Sequence, residues 1–116
     1  MAAVNTNLTI EQGADYEIAL TITNDDNSPL NLTDYTAASV IRKHYGASTS
    51  YAFTITFVDR LSGEITLSMP DTTTSTLSEG RYVYDVVLTS STGTKTRVIQ
   101  GNVLVNPGAT LWRIIM

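Results

Sequence analysis

The chain has 116 residues, 16% of them charged, and a formal net charge of −4. That length suits one domain around one hydrophobic core, and the sparse positive charge argues against a nucleic-acid or anionic-membrane surface. The absence of cysteine excludes a disulfide framework, a thiolate nucleophile and a cysteine-based metal site.

No apolar run approaches the roughly 20 residues that span a bilayer. Met1 to Asn7 has neither a positive n-region nor an apolar h-region, so no signal peptide is expected. Threonine is the commonest residue, which suits strands better than helices. Period-2 alternation then dominates the chain. Leu8 and Ile10 mark a short first strand that Gly13 ends. Tyr16, Ile18, Leu20 and Ile22 alternate with Glu17, Ala19, Thr21 and Thr23, predicting a strand with one buried and one wet face. Asn24-Asp25-Asp26-Asn27-Ser28-Pro29 is turn chemistry, because Asn and Asp bond their own backbone.

Leu30 to Thr36 reads as short and extended, and Ala37 to Lys43 as a strand whose inner face the pattern leaves open. Tyr51, Phe53, Ile55 and Phe57 predict one continuous strand. Asp59 to Gly63 then turns the chain into a partner carrying Ile65, Leu67 and Met69. Pro70 stops that strand, and the polar connection after it has room for one helical turn with Asp71 as N-cap. Tyr82, Tyr84, Val86 and Leu88 form a central strand. After Ser91-Thr92-Gly93 comes the last strand, Thr96 to Val105, with a β-bulge expected at Gly101.

About seven or eight short strands separated by turns describe an all-β, antiparallel, immunoglobulin-like β-sandwich over residues 1–108. Leu77, Gly80 and Tyr82 have the spacing of a tyrosine corner, and Tyr84 follows where antibody domains place a cysteine. Gly80, Tyr82 and Tyr84 are therefore the candidate fold-determining residues.

Catalytic equipment is thin. His44 is the only histidine, so a Ser-His-Asp triad would have to use it. It sits in Arg42-Lys43-His44-Tyr45, a basic strand end that is usually a solvated tip but offers a contact for a partner's carboxylate or phosphate. Asp25, Asp26 and Asn27 lack the spacing of a calcium loop and read as a plain turn. Asp85, inside an apolar strand, is expected to pair with Arg97 across the hairpin. No enzyme activity, cofactor or metal is expected.

The segment 109–116 is different in character. Leu111, Trp112, Arg113, Ile114, Ile115 and Met116 make it apolar, and Trp112 is the only tryptophan. Such a tail needs apolar cover from its own domain or from a neighbour, and the neighbour is favoured because tryptophan is enriched at interface hot spots.

Several blocks carry a family likeness. Leu8-Thr9-Ile10-Glu11-Gln12-Gly13-Ala14-Asp15, Leu30-Asn31-Leu32-Thr33-Asp34-Tyr35-Thr36 and Ser39-Val40-Ile41-Arg42-Lys43 are three of them. Gly80-Arg81-Tyr82-Val83-Tyr84-Asp85-Val86 and Arg97-Val98-Ile99-Gln100-Gly101-Asn102-Val103-Leu104-Val105 complete the series. In this order they resemble small immunoglobulin-like virion proteins of tailed phages, found among cyanophage structural proteins and in the N-terminal domain of upper-baseplate proteins. The resemblance covers residues 8–107 and leaves the tail outside. It implies a sandwich that joins other virion proteins, without catalysis.

The expected function is a structural adaptor in the tail, neck or baseplate of a tailed bacteriophage, located in the virion and made in the host cytoplasm. Its expected partners are other virion proteins and copies of itself, with neither nucleic acid nor membrane. A capsid decoration protein and a carbohydrate-binding module of a host-recognition fibre are the alternatives, the latter using Tyr35, Tyr45 and Tyr51 near the loops.

Overall fold

Alternating apolar and threonine-rich positions give each strand one face to bury, and two sheets close over the shared interior. The computed structural model describes residues 4–108. The strands are β1 (Val4–Asn5), β2 (Leu8–Glu11), β3 (Tyr16–Thr21), β4 (Thr36–Arg42), β5 (Ser50–Ala52), β6 (Thr54–Asp59), β7 (Glu64–Met69), β8 (Gly80–Thr89) and β9 (Lys95–Asn106), with one helical turn, α1 (Asp71–Thr74), after β7. The larger sheet runs β1-β9-β8-β4-β5, with β2 also on the outer side of β9, and the smaller runs β3-β7-β6. All pairings are antiparallel except those of β1 and β2 with β9, which are parallel. This is an immunoglobulin-like β-sandwich.

Ile10, Leu32, Ile41, Ile65, Leu67, Val86 and Val103 are completely enclosed between the sheets. On β4 the inward residues are Ala37, Ser39 and Ile41, which settles the face that the pattern left open. Ser39 is the polar member of that row, and its hydroxyl donates to the Asp85 carbonyl at 2.6 Å. Across the hairpin the Arg97 Nε stands 3.1 Å from the Asp85 carboxylate, the cross-strand pair expected from the sequence.

Four expectations are corrected. The single strand over Tyr51–Phe57 is two strands in different sheets. β5 pairs with β4 in the larger sheet, β6 pairs with β7 in the smaller, and Phe53 lies between them with its N–H on the Ser39 carbonyl. The crossing is held by aromatic contacts: Phe53 meets Tyr84 edge-on at 6.3 Å and Tyr16 at 6.1 Å, linking the two layers.

The bulge in the last strand lies at Val98, where pairing passes from Val86–Ile99 to Val87–Arg97, and Gly101 stays in register opposite Tyr84. Two successive inward residues, Val98 and Ile99, require that extra residue. Asp71 does not cap α1. Pro70 occupies the N-cap, and the Asp71 N–H donates instead to the Asp15 carboxylate at 2.8 Å. Finally, Leu30 to Thr36 is not extended throughout: Asp34 takes a left-handed φ of 66°, and Thr36 already belongs to β4.

Candidate functional site

Strands β4, β8 and β9 place the end of one, the start of the next and the end of the third at the same pole of the sandwich. Gly80 opens β8 opposite Val105, and its φ of 127° suits glycine. A side chain there would also crowd the Lys43 ammonium, at 3.0 Å from the ideal Cβ position. The Tyr82 hydroxyl donates to the Ser78 carbonyl four residues upstream at 2.9 Å, the geometry of a tyrosine corner. Its ring lies 4.6 Å beneath the Lys43 ammonium, so the first basic residue after β4 rests on the corner tyrosine. Burial raises the Tyr82 pKa, and the neighbouring Tyr51 phenol adds to it.

Between this corner and the loop after β4 lies an open cleft of about 610 Å³. Tyr82 forms its floor, Ala47 and Tyr51 its half-buried walls, and Lys43, His44, Ser48, Thr49 and Ser78 its exposed rim. The three basic residues do not act as one patch. Arg42 turns the other way, donates to the Ala47 carbonyl at 2.8 Å and borders a second hollow with Val83, Asp85 and Arg97.

The chain leaves the described structure at the same pole. Gln12, just past β2, donates its backbone N–H to the Asn106 carbonyl at 2.9 Å. Its side-chain amide donates to the Leu77 carbonyl at 2.8 Å and accepts from the Gly108 N–H at 3.4 Å. Gln12 thus ties Gly108, the last described residue, to the loop that carries Ser78 and the tyrosine corner. No sequence signal marks Gln12, since its partners are 65 and 96 residues away. Leu111, Trp112, Arg113, Ile114, Ile115 and Met116 lie outside the described residues.

Elsewhere the surface offers strand edges. β3, β5 and β6 each have one side without a strand neighbour among the described residues. The edge of β6 carries a bulge that leaves Val58 exposed, beside the exposed Leu61 of the following turn. Of the three tyrosines near the loops, Tyr45 is 61% exposed, while Tyr35 and Tyr51 pack against the core. Among the described residues, no three His, Asp or Glu side chains gather closely enough to share a metal ion.

No family model matches the chain, and no curated protein matches it by sequence. The cyanophage half of the resemblance therefore has no sequence-level support. Among solved structures, the N-terminal domain of ORF48 of phage TP901-1 superposes with a TM-score of 0.61 at 11% identity, over 87% of this chain and 85% of that one. Two looser likenesses are the filamin domain of Lin-41 and the internalin-like protein lmo2027 of Listeria monocytogenes. The first has a TM-score of 0.46 at 16% identity, over 86% of this chain and 84% of that one. The second has a TM-score of 0.47 at 19% identity, over 91% of this chain and 28% of that one. At 11% identity the phage likeness shows a shared fold.

Proposed function

We propose that this chain is a non-enzymatic assembly module of a tailed-phage virion, an adaptor joining neighbouring proteins in the tail, neck or baseplate. The observation that supports this most is the likeness, over 87% of the chain, to a domain of a phage protein. A sandwich tied across its layers by Tyr16, Phe53 and Tyr84 presents a fixed outline. Its open strand edges and the 109–116 tail supply backbone groups and apolar side chains for docking. Many copies on a symmetric particle give each modest contact a high effective concentration. In this reading the partners are other virion proteins and further copies of this chain.

Antibodies raised against the recombinant domain and applied to purified phage particles test the proposal. Labelling at the tail, neck or baseplate supports it. Labelling spread over the capsid shell replaces it with the decoration reading. Particles that neither bind antibody nor contain the chain by mass spectrometry overturn it.

A further inference from the structure

We propose that in the free chain the cleft beside Tyr82 is occupied by the chain's own tail, with Trp112 as the inserted side chain. Three observations converge on this pocket. The Gln12 side-chain amide bridges the Gly108 N–H and the Leu77 carbonyl, and Leu77 is one residue from cleft-lining Ser78, so Gly108 is held near the cleft. Trp112 stands four residues past Gly108, a reach of about 13 Å at full extension, so its indole stays close to where Gly108 is held. The cleft has an aromatic and aliphatic lining of Tyr51, Tyr82 and Ala47, and its volume is that of a small-ligand pocket.

The lining also suits an indole in particular. Lys43 already lies over one ring, and its ammonium offers a second aromatic face a cation–π contact, which tryptophan makes best. Competition favours the tethered occupant. A short tether holds the tail at an effective concentration of roughly millimolar, which a second copy of the chain in dilute solution does not match. The tail's apolar side chains are thereby covered until a binding partner displaces them. This inference concerns the isolated chain and stands apart from the virion reading.

The single tryptophan makes the test direct. In the intact native chain, Trp112 emission should be shifted to the blue of the urea-unfolded chain, and acrylamide should quench it severalfold less readily. Both readings should be unchanged across protein concentrations at which light scattering reports a monomer. Ala47→Glu and Thr49→Arg, which place charge in the cleft without touching the core, should return the emission and quenching toward unfolded values while the circular-dichroism spectrum stays the same. Native emission equal to that of the unfolded chain overturns the proposal. So does shielding that grows together with dimer mass, which would assign the cleft to a second copy. Shielding insensitive to both variants overturns it as well, because the indole would then be buried elsewhere.

Discussion

Tyr84 stands directly opposite Gly101 in the β8–β9 ladder, and its hydroxyl reaches the Thr6 carbonyl at 2.6 Å. The missing side chain is what admits the Thr6 backbone: an ideal Cβ on Gly101 would lie 2.1 Å from the Thr6 oxygen. One glycine and one phenol thereby fix where the chain crosses from β1 to β2. Gly101→Ala should destabilise the fold by about 3 kcal/mol, because backbone rather than a pliable side chain must move. Tyr84→Phe should cost about 1–2 kcal/mol for the lost buried hydrogen bond. Urea denaturation of the two variants checks both values.

The same phenol makes stability depend on pH in the alkaline range. Burial pushes its pKa from the ordinary value of 10.0 up to about 12, and the Tyr16 phenol adds to the shift. The folded state therefore holds its proton more tightly than the unfolded chain does. That contribution is intact below pH 10 and is lost as pH rises toward 12. Unfolding free energy measured over this interval should fall, and Tyr84→Phe should flatten the part of the fall that Tyr84 causes.

Gly63 should be the least replaceable turn residue. Its φ is 70°, and an ideal Cβ would lie 2.3 Å from the Ile22 carbonyl and 3.0 Å from that of Leu30. Left-handed strain and the backbone clash combine, so Gly63→Ala should lower stability by about 3 kcal/mol or more. A thermal melt against the parent chain measures this.

Arg60 ties the segment before β4 to the β6–β7 turn. Its guanidinium donates to the Leu32 and Tyr35 carbonyls, both at 2.9 Å, and lies 3.9 Å from the centre of the Phe57 ring. Arg60→Ala should cost about 1–2 kcal/mol. Arg60→Lys should restore little of it, because an ammonium lacks the planar guanidinium that lies on the Phe57 ring while its Nη1 reaches both carbonyls. Denaturant midpoints of the three proteins separate geometry from charge.

Tyr82→Phe removes the bond to Ser78 and should cost about 1 kcal/mol. It leaves an aromatic ring beneath Lys43, so the cleft should keep its shape. Comparing this variant's denaturation midpoint with its Trp112 emission distinguishes the corner bond from the cleft.

Alternation made β2, β3, β7 and β8 legible, since each carries one inward row bounded by turn residues. The Asp85–Arg97 pair was legible too, because a hairpin places its two arms side by side. The passage from β5 to β6 was hidden for a physical reason. A strand that changes sheets in a sandwich keeps the same side toward the shared interior, so Tyr51, Phe53, Ile55 and Phe57 alternate without interruption. The apolar register changes between Val98-Ile99 and Val103-Val105, which suggests a bulge at Gly101, whereas the extra residue is Val98, marked by the adjacent inward pair Val98 and Ile99. The expected parts of the site, Lys43-His44 and the tail, were visible separately. That Lys43-His44 and Gly108 lie at one pole depends on topology and on the Gln12 bonds to Leu77 and Gly108, none of which leaves a local pattern.

The parallel pairing of β1 and β2 with β9 has a mechanical consequence. A force pulling Val4 and Gly108 apart is directed along these strands, so they must slide past one another rather than peel open. Leu8, Thr9, Ile10 and Glu11 face four successive residues of β9, and their ladder resists the pull together instead of yielding one rung at a time. Under tension between its two ends, the sandwich is built to remain closed.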